Sequence, residues 1–298
     1  MYGYIERKDS QLRMKNTIIQ DQGSVQVQEI ERIEIELLLE AIYRYYGYDF
    51  RNYAQSFLQR RILHRVRNEN LKSVSALQEK LLRNPEIMKR LFSDLSINVT
   101  EMFRDPAFFQ SFRKNIVPFV KDYPDIRIWH VGCSTGEEVY SMAILLHEEG
   151  IYEKAKIWAT DINPKTLEQA KKGTFSLANM QLYTKNYMEA GGIRAFSEYY
   201  KVVGEQVVFH PFLQKNIMFA EHNLVTDSSF NEFDIIICRN VLIYFNKSLQ
   251  NDVHQLFYES LSLSGFIGLG KREGIRFTSH GNCYEEIDST EKLYRKYK

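Results

Sequence analysis

Three places in this chain set polar side chains directly after apolar runs. The first is Gly132-Cys133-Ser134-Thr135-Gly136, followed by Glu137 and Glu138. The second is Thr160-Asp161, after Lys156-Ile157-Trp158-Ala159. The third is Cys238-Arg239-Asn240, with Tyr244 shortly after. A small-residue turn between strand and helix lets a ligand approach the backbone closely. An acid at the tip of the second strand of such a fold takes both ribose hydroxyls of an adenosine ligand, although an isolated Asp there also serves as a helix cap. Ligands in open α/β sheets sit beyond the carboxyl ends of strands, so Asn240 and Tyr244 fall where a reacting group would be. A fourth stretch, Ser96 to Phe109, carries Asn98, Thr100 and Arg104 among apolar and aromatic residues. Either these cap a linker, with Thr100 closing a short helix, or they turn inward onto a bound ligand.

The elements that must position these groups are legible in outline. Ile126, Ile128, Trp129 and Val131 predict a buried strand. Val139, Met142, Ala143 and Leu146 recur at helical spacing, and Glu137 and Glu138 suit the positive end of that helix. Asn163-Pro164 starts a further helix that Gly173 ends. Residues 180–200 read as helical in parts, broken at Gly191-Gly192. Short strand candidates at 201–203, 206–209 and 217–219 suggest a small β-subdomain over about 196–219. The last of these also reads as a central-sheet strand leading into Asn223-Leu224. Ile235-Ile236-Ile237 is a buried parallel strand. Asn246 caps a helix over 248–261, Leu263-Ser264-Gly265 turns into a strand at 266–269, and a last strand falls near Leu293-Tyr294.

Upstream, residues 1–28 read as a flexible tail and 29–95 as an all-helical domain. Ile30, Ile33, Leu37, Leu38, Ala41, Ile42 and Tyr45 set the period of its first helix, which Gly47 ends. A second helix, 53–68, turns Phe57, Leu58, Ile62 and Val66 inward and carries Arg60, Arg61, His64, Arg65 and Arg67. Helices over 74–83 and 85–95 complete the set. The basic helix is either a solvated face whose Arg stems cover the core or a docking surface for an acidic protein segment.

Composition narrows the classes. With 298 residues, 44% hydrophobic, 26% charged and a net charge of +1, the chain is an ordinary globular protein with no bulk electrostatic demand for nucleic acid or membrane. No apolar run reaches transmembrane length, and the N-terminus lacks a signal-peptide pattern. Cys133, Cys238 and Cys283 are too few and too scattered for a disulfide scaffold or a zinc site, which points to a reducing, cytoplasmic setting without a metal.

Four blocks, INVTEMFRD, IWHVGCSTGEEVYSMAI, ATDINPKTLEQAKKGTF and FDIIICRNVLIYFN, occur in the order of the CheR-type chemoreceptor methyltransferases, and the chain resembles that family from about Ile30 onward. The resemblance implies an S-adenosyl-L-methionine-dependent protein-glutamate O-methyltransferase that releases S-adenosyl-L-homocysteine. It implies an α/β fold: a class I, Rossmann-like methyltransferase domain over 126–298 with an inserted β-subdomain, preceded by the all-α domain and a cofactor-contacting linker over 96–125. Carried over by position, Asn98, Thr100 and Arg104 would reach the cofactor. Glu138 would bind its methionine end, with Glu137 the alternative, and Asp161 would hold the ribose. Asn223, Leu224, Arg239 and Asn240 would line the adenine and methionyl sides, with Arg104 and Tyr244 nearest the transferred methyl. The partner implied is the cytoplasmic helical region of a chemoreceptor or similar signalling protein, met by a monomer without nucleic acid or membrane insertion.

Two departures stand out. Arg272 replaces the Ser that relatives commonly have before Glu273, and the β-subdomain, which binds a receptor tail peptide in some relatives, has no distinctive sequence here. Competing readings are a methyltransferase for an amine or small molecule and a cofactor-binding scaffold without turnover. A dinucleotide-linked dehydrogenase is disfavoured because the glycine turn lacks G-x-G-x-x-G spacing.

Overall fold

Every residue of Phe233–Cys238 is buried, so this segment has to lie inside a sheet covered on both faces. The computed structural model describes residues 28–96 and 100–298 and divides at 95/96 into two units. The tail expectation for 1–27 and the candidate Asn98 lie outside the described residues.

In the first unit, α1 spans 28–46, followed by α2 (Gln55–Asn68), α3 (Val74–Arg83) and α4 (Pro85–Leu95). Ser73 caps α3 by accepting from the Ala76 N–H. The core face of α1 differs from the expectation. Ile35, Leu38, Leu39 and Ile42 are buried, whereas Ile30, Ile33 and Leu37 are half exposed. Apolar residues on this helix cover more than one stripe at i, i+3, i+7 spacing, so periodicity alone could not choose between them. Arg65 is also reassigned. It is buried against Asp94 (2.7 Å) and Glu69 (3.3 Å) and holds α2 to α4, so it belongs to the core rather than to a docking face.

Glu69 gathers Arg65, Lys80 and Arg90, and the bonds from Lys80 and Arg90 outweigh burial to hold its carboxyl down at about 2. A depressed carboxyl contributes stability that is present above the unfolded value and lost as pH falls through the folded one. The helical unit is therefore expected to lose stability between pH about 4.5 and about 2. In thermal unfolding followed by circular dichroism, the loss between neutral and acid pH should be smaller in Glu69→Gln than in the parent. Equal losses would show that this carboxylate is not the titrating group.

In the second unit, α5 (Pro106–Asn115) and α6 (Val117–Val120) precede β1 (Ile126–Val131) and α7 (Glu137–Glu148). Then come β2 (Ala155–Asp161), α8 (Pro164–Lys172), β3 (Thr174–Ser176), α9 (Met180–Glu189), β4 (Tyr200–Val203), β5 (Gln206–Phe209) and β6 (Ile217–Glu221). The chain closes with β7 (Phe233–Cys238), α10 (Lys247–Ser260), β8 (Leu261–Leu269), β9 (Tyr284–Asp288) and β10 (Leu293–Lys296). A seven-stranded sheet runs β6-β2-β1-β7-β8-β10-β9. Pairings from β6 through β8 are parallel, and β10 is antiparallel to both of its neighbours. Asp234 on β7 takes the N–H and guanidinium of Arg127 on β1, fixing the register of the central pair. No helix among the described residues is long and apolar enough to cross a membrane.

Three expectations change. The stretch 96–125 is not mainly linker: Phe108, Phe109 and Phe112 are buried in the second unit's core, and Pro106 opens α5 as its first residue. The three-stranded sheet, β3-β5-β4, starts at Thr174 rather than near 196, while 217–221 pairs with β2 in the main sheet, in keeping with its reading as a central-sheet strand. Its strands are too short for alternation to reveal their partners. Leu263-Ser264-Gly265 lies inside β8 as an irregularity, with Ser264 at φ 68°, rather than forming a turn.

Candidate active site

Parallel register aligns Ala220, Thr160, Val131, Cys238 and Leu269 in one row across β6, β2, β1, β7 and β8. The residues that follow this row are Glu221, Asp161, Gly132, Arg239 and Gly270. The sheet alone therefore gathers the separate sequence candidates at one carboxyl-terminal edge.

The glycine turn also has a packing role. A Cβ on Gly132 (φ 65°) would stand 2.5 Å from Val241 Cγ2, and one on Gly136 (φ 95°) would stand 3.0 Å from the Ala170 Cβ. These glycines admit the protein's own side chains, packing the β7 loop and α8 against the turn. Between them, Ser134 at φ 51° donates its N–H to Asp161 Oδ2 at 2.8 Å. Asp161 Oδ1 accepts from the Asn163 N–H at 2.9 Å. Burial pushes the Asp161 carboxyl up, against the pull of these amides. The Ser134 hydroxyl oxygen is buried without a hydrogen-bond partner.

Arg239 and Glu138 turn out to be partners. The guanidinium, almost fully buried, donates to Glu138 Oε2 (2.8 Å), Asp105 Oδ2 (2.7 Å) and the Arg104 carbonyl (3.2 Å), and it lies 4.2 Å over the Phe108 ring. Glu138 Oε1 also meets His130 Nδ1 at 3.3 Å. Burial pushes the Glu138 carboxyl up, but Arg239 and His130 pull harder and hold it below its ordinary value. Arg239 thus fastens the segment carrying Arg104 to the end of β7.

That segment is anchored on its other side too. Phe103 is fully buried, donates its N–H to Ser141 Oγ at 2.9 Å and packs on Phe109 and Tyr187. Asn186 Nδ2 donates to the Met102 carbonyl at 3.1 Å. Thr100 and Arg104 are partly exposed within this framework. Glu137, the alternative to Glu138, is buried and accepts from the Thr135 hydroxyl at 2.6 Å, facing a cavity of about 700 Å³ beside the small sheet. Asn223 Oδ1 accepts from the Val225 N–H at 3.0 Å, shaping the turn after β6, with Leu224 partly exposed within it.

The loop after β7 holds Asn240 at φ 62° and Tyr244 at the end of a short helical turn, Leu242–Tyr244. Among the described residues, seven non-glycine residues have positive φ, and Phe103, Asp105, Ser134 and Asn240 are four of them. Backbone strain concentrated at one sheet edge is a mark of a functional site. Cys133 and Cys238 lie beside it, but burial pushes both thiols up, so neither serves as a nucleophile.

Sequence reasoning missed Asp105 and the Arg239–Glu138 pairing.

Comparisons with known proteins agree on one family. Residues 98–293 match the family model described as "CheR methyltransferase, SAM binding domain", and residues 33–96 match "CheR methyltransferase, all-alpha domain". The protein named "Putative methyltransferase Cher3" of Pseudomonas putida is 48% identical over 264 residues, covering 89% of this chain and 97% of that one. The chemotaxis protein methyltransferase of Listeria monocytogenes is 29% identical, covering 77% of this chain and 85% of its own. That of Salmonella typhimurium is 24% identical, covering 92% and 93%.

Proposed function

This chain belongs to the CheR family of S-adenosylmethionine-dependent methyltransferases, and on that premise we propose that it esterifies glutamate side chains on the cytoplasmic helical region of a chemoreceptor or related signalling protein. The observation that carries the reading is the alignment of Asp161, the glycine turn and the Arg104 segment at one edge of the parallel sheet.

The residues present fit the nucleoside. Asp161 accepts backbone N–H groups from Ser134 and Asn163, and Thr166 and the Ile162 amide also lower its carboxyl, so it is a hydrogen-bond acceptor poised at the strand tip. A ribose diol supplies two O–H donors to the same carboxylate. The partnerless Ser134 hydroxyl in the adjoining turn is a further buried group that a bound ligand would satisfy. Asn223, Leu224 and Asn240 would line the base and methionyl portion. The amino group would reach Glu138 beside Arg239, and Thr100 would close the site from the segment that carries Arg104.

When bound, the sulfonium supplies an electrophilic methyl. The protein's part is then positioning. A glutamate side chain is ionised at neutral pH and needs no general base. Arg104 would hold one oxygen of the incoming carboxylate by a charge-assisted bond, and Tyr244 would orient it in line. Exclusion of water at the loop would strip the carboxylate of competing solvation.

For the protein substrate, the basic helix offers Arg60, His64 and Arg67, all exposed and sharing one face of α2 at i, i+4, i+7 spacing. We assign docking on an acidic helical surface to these rather than to Arg65. The test is transfer of labelled methyl from S-adenosylmethionine to receptor-containing membranes. Alkali-labile label on a receptor-sized band is expected, and it should fall in Arg60→Glu/Arg67→Glu while cofactor affinity is retained. Alkali-stable label, or label only on small molecules, would overturn the glutamate assignment. Undiminished labelling in the double variant would overturn the docking face.

A further inference from the structure

Glu273 lies outside every role described so far, yet four backbone amides converge on its carboxylate at the sheet edge. It is buried, and it accepts backbone N–H groups from Gly270 (2.6 Å), Asn240 (3.0 Å), Val241 (2.9 Å) and Leu242 (2.8 Å). Three consecutive N–H groups, 240 to 242, converge on it from the loop that follows β7. Convergent amides of this kind form an anion-binding nest, ordinarily occupied by a phosphate or another external anion. Here the anion is built into the chain. Among the described residues its hydrogen-bond partners are backbone amides, with no Lys or Arg side chain on the carboxylate.

The surroundings are shaped to this arrangement. A Cβ on Gly270 would stand 2.6 Å from Glu273 Oε2 and 2.9 Å from the Asn240 N, so only glycine fits there. Asn240 adopts its left-handed backbone at the first amide of the nest. Val241, carrying the second amide, fills the space that Gly132 leaves open. Burial raises the Glu273 carboxyl while the four amides pull it down.

We propose that Glu273 is a positioning residue: its carboxylate fills an internal anion nest and thereby sets the strained 240–244 loop, with Asn240 and Tyr244, at the methyl-transfer geometry. This rests on the functional reading above. It also accounts for tolerance of Arg272 beside it, since none of the bonds that shape the loop comes from residue 272.

The test uses the full chain with receptor membranes and three variants: Glu273→Ala, Glu273→Gln and Glu273→Asp. In Glu273→Ala, kcat is expected to fall by about tenfold to a hundredfold, since small misplacements of reacting groups cost that much, while the melting transition stays cooperative. The vacated nest should accept formate, which restores part of kcat, whereas formamide at the same concentration does not. Glu273→Gln, which brings an NH2 group against the amides, should lose kcat more than it loses affinity for S-adenosylhomocysteine. Glu273→Asp should retain more activity than Glu273→Gln. Parent-like kcat in the Ala or Gln variant would overturn the proposal, as would loss in a folded Ala variant that formate leaves untouched. If Glu273→Ala does not fold, the order of Gln and Asp decides alone: Gln equal to or better than Asp overturns it. An unsubstituted protein that transfers no methyl to receptor would instead sink the functional reading, and calorimetry with S-adenosylhomocysteine on the variants separates the two failures.

Discussion

Asp161→Ala is expected to weaken S-adenosylmethionine binding by about a hundredfold, from the loss of charge-assisted bonds each worth about 1.5–3 kcal/mol. Two effects add. The ribose hydroxyls would lose a charged acceptor whose own orientation is fixed by the Ser134 and Asn163 amides. The same substitution leaves those amides without their partner, so the turn between β1 and α7 loosens as well. Asp161→Asn keeps the shape and one acceptor oxygen, and should fall between the two. Titration calorimetry with S-adenosylhomocysteine reads the effect without turnover. Affinity of the Ala variant within about threefold of the parent would contradict a ribose role, because even one such bond is worth more than that.

The second large effect is on the fold. Glu148, at the end of α7, has a fully buried side chain that accepts from Arg113 (2.5 Å), Tyr187 (2.5 Å) and Tyr199 (2.9 Å). It ties α5, α7 and the base of the small sheet to one point. Truncating it leaves a buried guanidinium with only Glu149 and two buried hydroxyls short of an acceptor. Breaking a buried pair this way costs about 3–5 kcal/mol. For a unit of this size, that lowers the melting temperature of Glu148→Ala by about 10 °C. Glu148→Gln, which retains an acceptor for the tyrosines, should lose less. A shift under about 3 °C in the Ala variant would mean that the cluster relaxes around the gap, contrary to the rigidity implied by its aromatic packing.

These two residues illustrate what a linear reading captures. Asp161 was legible because a strand-end acid after an apolar run is a local pattern, and the strand, turn and helix around Gly132 are local as well. Glu148 and Glu273 were not, because their partners come from 35 to 51 positions away and from 31 to 33 positions away, apart from the adjacent Gly270. Nothing in their neighbourhoods distinguishes them from surface glutamates. The Arg239–Glu138 pair spans 101 positions, so residues expected to face a ligand proved to satisfy each other first. The small sheet failed for a related reason. Its strands are three or four residues long, β4 buries none of its positions, and β3 joins β5 across an intervening helix. In the helical unit Leu38 and Ile42 pack as expected while Ile30, Ile33 and Leu37 do not, since α1 carries apolar residues well beyond the stripe that packs.

The remaining question is where the nucleoside lies. A crystal of the full chain grown with S-adenosylhomocysteine answers it in one density map. Both ribose hydroxyls should be found on Asp161, with the homocysteine sulfur directed toward Arg104 and Tyr244. Adenosine density away from the β1–β2 edge, or a ribose bonded elsewhere while Asp161 keeps only its two amides, would contradict the account at its base.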